Sequence, residues 1–332
     1  MSPRGRHRGR RLPGGRRGPN GRDDGENRLD GRRHRARRDG ACGGGRPDAA
    51  SDGLGFAFRR HDETPLTLPA LVANGTLSAD AAALCSLAVE RGASVLVAGS
   101  RGAGKTTFLG SLLWELPRDV RTVLIEDTPE LPASSLLDAD RDVQTLRTDT
   151  TGGPEPTPQE ALHAALRLGD GALALGEVRG EEAAVLYEAM RVGANANAVL
   201  GTIHGDGAAD VRERVVSDLD VPASSFAATD LVVTCEHADA HRVARVEEVR
   251  PVGDDAAFET LFEHDGRALE PTGSVARGDS LGVESLARPG ESYADVLDAL
   301  DARAAHLASL AETERTAPDD LAAARAERGS GC

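Results

Sequence analysis

The segment Gly99-Ser100-Arg101-Gly102-Ala103-Gly104-Lys105-Thr106 carries glycines, a lysine and a hydroxyl at the spacing of a phosphate-binding loop. Glycines allow backbone N–H groups to wrap a β-phosphate at a helix N-terminus. Lys105 can then reach the β and γ oxygens, and the Thr106 hydroxyl can ligate Mg²⁺. Thr107 extends the same turn. Lys105 is the single lysine in a chain with 38 arginines, so drift toward arginine stopped at this position. ATP with Mg²⁺ is the ligand this pattern implies.

Carboxylates and a histidine follow at the ends of other apolar segments. The run Ile125-Glu126-Asp127-Thr128-Pro129-Glu130 closes one of them, and Leu175-Gly176-Glu177-Val178-Arg179-Gly180 closes another. The aspartate that usually ends such a second strand is missing, and a glycine followed by Glu177 stands in its place. Carboxylates at the C-terminal ends of parallel strands face the crevice where ligands bind in open α/β sheets. There Asp127 and Glu177, with Thr106, can hold Mg²⁺, and Glu126 or Glu177 can orient an attacking water. For Glu126 and Asp127 ordinary strand-end solvation is the alternative. His204 ends the strand AVLGTIH, and a lone histidine there is more often a satisfied structural residue than a functional one.

These residues need strands and helices to aim them, and the pattern provides both. A helix after a Ser78 cap carries Ala82, Leu84, Leu87 and Val89 and ends at Gly92. Strand 94–99 precedes the loop, and a helix through Leu109, Leu112 and Leu113 follows it. Strands at 122–126, 143–146, 172–177 and 198–204 alternate with helices at 159–168, 181–191 and 209–218. The segment 149–158 reads as a loop on its Gly and Pro content. This alternation predicts α/β folding around a mostly parallel sheet buried on both faces. Late strands are expected at 231–236 and 241–249, a hairpin arm after them, an amphipathic helix over 291–310, and a frayed polar end from Thr313.

Charge divides the chain unevenly. Residues 1–50 hold 15 arginines against six acids, net +9, which leaves net −24 for the remainder of a chain whose total is −15. An acidic core of this kind argues against nucleic acid as its partner, because phosphate backbones need Lys and Arg on the contacting face. The few aromatics and the many Ala, Gly and Asp point to a protein kept dissolved in high salt, as in a halophilic archaeon. Residues 1–52 are Arg- and Gly-rich with almost no aliphatic content, so they read as disordered. An Arg-rich nucleic-acid tail lacking interleaved aromatics, or a misplaced start, are the other readings. The four cysteines match neither a zinc spacing nor a disulfide framework and read as free thiols. No apolar run has the length of a membrane span and no secretory signal is visible, so a cytoplasmic location is expected.

Taken in order, GSRGAGKT, IEDTPE, ALRLGDGALALGEVRG and GTIHGD resemble the motor ATPases of type II/IV secretion and type IV pilus machines over roughly residues 54–310. The resemblance implies a RecA-like P-loop core at 76–250, with a small, mainly helical C-terminal region at 251–312 and a polar tail at 313–332. It further implies that Glu126 and Glu177 share water polarisation and Mg²⁺ organisation and that His204 touches the γ-phosphate. Arg147 in QTLRTD, and Arg59 and Arg60 in FAFRRHDETPLTL, are similar to arginines that complete such sites across subunits; an exposed surface charge is the alternative for each. Residues 53–75 resemble the linker that leads from the family's N-terminal domain. By the same resemblance the protein is a homo-oligomeric ring, expected as a hexamer, working on a polytopic membrane platform protein at the inner face of the membrane. A RecA-type nucleic-acid motor and a non-hydrolysing ATP-binding subunit are the alternatives.

The sequence departs from the family in three places. Ala194 and Asn195 stand where many relatives have an earlier histidine, and a Gln-Arg-Pro-Asp-like stretch is missing after Arg167. Residues 1–52 also do not resemble the family's N-terminal domain, which suggests a truncated or divergent member.

Overall fold

The computed structural model describes residues 65–149, 153–192, 197–321 and 323, with the backbone of 42–44 and 56–58. Within residues 1–58, Cys42–Gly44 (β1) pairs antiparallel with Phe56–Phe58 (β2). The expected disorder of the other residues in 1–52, the arginines Arg59 and Arg60, and the departures Ala194 and Asn195 lie outside the described residues.

Leu68–Ala73 (α1) starts at Thr67, whose Oγ1 accepts from Ala70 N at 3.3 Å and donates to Thr316 O at 2.6 Å. Ala79–Glu90 (α2) starts at Ser78, as its cap residue predicts, because the Ser78 hydroxyl accepts from Ala81 N. Strands and helices then alternate: Ser94–Gly99 (β3), Lys105–Leu112 (α3), Arg121–Glu126 (β4), Ala133–Asp138 (α4), Val143–Arg147 (β5) and Pro158–Ala165 (α5). Gly171–Leu175 (β6), Glu182–Val192 (α6), Val199–Ile203 (β7), Ala208–Glu213 (α7), Ala223–Phe226 (α8) and Leu231–His237 (β8) complete the alternating part.

All six strands of this part are parallel, in the order β8-β3-β7-β6-β4-β5. Strand β3, which leads into residues 99–106, therefore sits inside the sheet, with β7 on one side and β8 on the other. β3, β6 and β7 are buried at every position, as strands covered by helices on both faces must be. Alternate side chains of β3 feed two cores: Val95 and Val97 join α2 and α3, while Leu96 and Ala98 join α5 and α6.

The sheet continues antiparallel through His241–Val252 (β9), Asp255–His264 (β10) and Leu269–Pro271 (β11), giving nine strands among the described residues. Ser274–Arg277 (α9), Leu281–Ser285 (α10) and Tyr293–Glu312 (α11) follow. The C-terminal region of 251–312 thus contains the expected helices, but two of its strands extend the core sheet. α11 buries Val296, Leu300, Ala304, Leu307 and Leu310, the stripe its period demanded, in the core shared with α2. Ser292 and Asp295 form a capping box at its start.

Two expected helices differ from the structure. The helix placed at 159–168 ends at Ala165, leaving Leu166 and Leu168 exposed. The one placed at 209–218 widens after Glu213 into a π-helical turn, Arg214–Asp218.

Candidate nucleotide site

Gly99 ends β3, and its backbone lies against Cys235 of β8 so closely that a Cβ would meet Cys235 O at 2.4 Å. Only glycine fits there, and its φ of +149° is one that side chains rarely adopt. Gly102 and Gly104 also have positive φ, at +78° and +95°, so the chain turns twice before Lys105 opens α3. Ala103 packs into the core beneath the loop, while Ser100 and Arg101 face outward. Lys105 is buried, and its Nζ donates to Gly99 O at 3.0 Å and Ser100 O at 2.9 Å. Burial pulls the ammonium pKa down, and the negative field of Glu177 partly opposes this. Thr106 is half-buried and Thr107 exposed on the first turn of α3.

Glu177 sits two residues past β6, with both oxygens engaged. Its Oε1 lies 2.9 Å from His204 Nε2, at the end of neighbouring β7. Its Oε2 accepts from Arg179 Nε at 2.6 Å and also contacts Nη2 of the same guanidinium. The Arg179 Nη1 reaches Asp127 Oδ2, beyond β4, at 3.2 Å. The structure therefore brings Glu177, His204 and Asp127 together, and Lys105 lies within the field of Glu177.

Glu126 is used differently. Its Oε1 accepts from Glu130 N at 2.9 Å and Leu131 N at 2.8 Å, so the carboxylate closes the turn leading to α4. Its stem lies close enough to Gly176 that a Cβ there would meet Glu126 Cγ at 3.2 Å. Desolvation pushes its pKa up to about 7, with backbone hydrogen bonding at Leu131 and the charge of Arg147 acting the other way. Arg147 pairs across from Glu126 at the end of β5, the outer strand of the sheet, and is exposed.

Several positioning residues were not singled out from the sequence. Arg179 lies in the run Leu175-Gly176-Glu177-Val178-Arg179-Gly180, but its partner Asp127 is 52 positions away. Buried Glu182 accepts from Arg179 N at 2.6 Å and Gly180 N at 2.8 Å, fixing the 177–181 loop; an acid in the first turn of a helix was the available signal. Arg245 of β9 donates to Asp206 Oδ1 at 2.9 Å, bracing the loop after His204. His241 stacks on His237 with centroids 4.1 Å apart, and its Nδ1 lies 3.5 Å from where a Gly104 Cβ would be.

The donors gathered here are oxygens, which suit a hard divalent cation such as Mg²⁺. No group of three or more His, Cys, Asp or Glu among the described residues could hold a metal alone. A cation held mainly through phosphate, with one or two protein oxygens, is compatible with that arrangement. No helix among the described residues is long and apolar enough to cross a membrane.

The profile of the type II/IV secretion system protein family matches residues 50–260, more than half of the chain. An uncharacterized protein of Methanocaldococcus jannaschii is 33% identical over 170 residues, covering 51% of this chain and 29% of that protein. The type IV secretion system protein PtlH of Bordetella pertussis is 39% identical over 109 residues, covering 32% of this chain and 31% of PtlH. The match to each relative thus spans less than a third of its length. Among solved structures, the VirB11 ATPase from the Brucella suis type IV secretion system, in complex with sulphate, is 22% identical. The match covers 59% of this chain and 66% of that one, with a TM-score of 0.42. The chain belongs to the type II/IV secretion system protein family.

Proposed function

Taking that membership as the premise, we propose that the chain is an ATP-hydrolysing motor subunit of a type II/IV secretion or type IV pilus-like assembly system. The observation that carries this reading is the position of Glu177, hydrogen-bonding distance from His204 and electrostatically coupled to Lys105 of the phosphate loop. A carboxylate there can orient water for in-line attack on a γ-phosphate held by the loop.

Backbone N–H groups of residues 99–106 and the Lys105 ammonium would hold the phosphates. Thr106, Asp127 and Glu177 would hold Mg²⁺, which when bound neutralises charge on the phosphate oxygens. His204, already oriented by Glu177, would exchange that contact for one to the γ-phosphate. Because Glu177 stands beside His204 and within the field of Lys105, it is assigned as the principal water-orienting group, with Glu126 as its support. Arg147, on the exposed outer strand, would complete the site of a neighbouring copy. The working form is then a homo-oligomeric ring, a hexamer, acting from the cytoplasm on a polytopic membrane platform protein.

Glu177→Gln tests this most simply. ATP binding should persist while turnover falls by about a hundredfold or more, the loss typical of removing a positioned acid–base group. Turnover at the parent rate would remove Glu177 from the mechanism.

A further inference from the structure

Arg179 has no role in the chemistry above, yet its guanidinium lies across two of the carboxylates assigned to Mg²⁺. Nε and Nη2 take Glu177 Oε2, and Nη1 takes Asp127 Oδ2, so one side chain bridges the ends of β6 and β4. Its backbone is held independently of that bridge. Arg179 N donates to buried Glu182, and the preceding Val178 is buried with its N–H on Thr202 O at 2.8 Å. The base of the side chain is fixed and its arm is half-exposed, which permits the head to leave without moving the loop.

Access to Oε2 of Glu177 requires that release. One oxygen faces His204 and the other faces Arg179, so a cation or water can gain Oε2 only if the guanidinium gives it up. A guanidinium does not deprotonate near neutral pH, so it must be displaced rather than titrated away. The Asp127 end of the bridge is exposed on both partners, and exposed ion pairs are weak enough to exchange.

We propose that Arg179 is an exchangeable internal counter-cation. It competes with the divalent metal for Glu177 and Asp127, and its displacement by metal–nucleotide frees a positive arm. This rests on the phosphate-site reading above and adds a control on when the metal-binding carboxylates are available.

The test is Mn²⁺ binding followed by its electron paramagnetic resonance signal, with the full-length protein saturated with ADP. Arg179→Gln, which removes the competing charge and keeps the backbone donor, should bind Mn²⁺ about three- to tenfold more tightly than the parent. Arg179→Lys should fall between the two, because a single ammonium cannot span both carboxylates as the fork does. Equal or weaker Mn²⁺ binding by Arg179→Gln, with ADP affinity intact, would overturn the proposal. Absence of ADP binding in parent and variants alike would overturn the phosphate-site reading beneath it.

Discussion

Lys105 and Glu126 show how differently two buried ionisable groups can be used within one site. The Lys105 ammonium donates to two loop carbonyls, a geometry that needs a compact, rotatable head. A planar guanidinium is larger and presents its donors in a fixed fork. Lys105→Arg should therefore lower ATP affinity nearly as far as Lys105→Ala, by roughly tenfold or more, or about 1.4 kcal/mol. Near-parent affinity in the arginine variant, by equilibrium titration, would show that the loop tolerates any cation.

Glu126 yields a pH signature. Its folded-state pKa of about 7 lies above its ordinary value of 4.5 because burial disfavours the carboxylate. The native state therefore binds the proton more tightly than the unfolded chain. That contribution is complete below pH 4.5 and is lost as pH rises through about 7. Glu126→Gln keeps an oxygen for Glu130 N and Leu131 N and does not titrate. Its stability relative to the parent should grow between these pH values and level off near a gain of about 3 kcal/mol. Urea unfolding at pH 5 and pH 8 measures this, and a variant whose advantage shrinks with rising pH would contradict the assignment.

At the scale of elements, the site depends on strands meeting closely at their C-terminal ends. Gly99→Ala would drive a Cβ into Cys235 O, where β3 and β8 pair and where the β8–β9 register also shifts. With the backbone strain added, a loss of about 2–3 kcal/mol is expected, seen as a lower urea midpoint. An unchanged midpoint would mean that the two strands separate freely. The strand–turn–helix form of residues 94–112 was legible in the sequence because its cues are local: eight consecutive residues between an apolar strand and a helix. Glu177 and His204 were legible as the last polar residues of buried strands, and the parallel sheet as their alternation with helices. What depends on distant partners was not. The turn-closing role of Glu126 uses backbone donors that carry no sequence signal. The Arg179 bridge joins residues brought together only by β6 lying beside β4. Short α4 escaped because Pro132 precedes it and no side chain caps it.

For the whole molecule, a ring implies that each site borrows from its neighbour. Arg147 on the outer strand β5 and Glu177 just past the inner strand β6 would then act in different copies. Arg147→Ala and Glu177→Gln should each be inactive alone. Mixed before assembly, they should recover a measurable fraction of ATP turnover, because some interfaces then pair an intact Glu177 with an intact Arg147. Mixtures as inactive as their components would place both groups in one copy's site. Binding of Mg²⁺–ATP at residues 99–106 is open to a direct test through the composition of the chain. Lys105 is the only lysine, so amine-selective labelling of the intact protein reports on this side chain and the α-amino group, which peptide mapping separates. Saturating ATP with Mg²⁺ should protect Lys105 from labelling while leaving Met1 unaffected. Equal labelling of Lys105 with and without nucleotide would contradict the account.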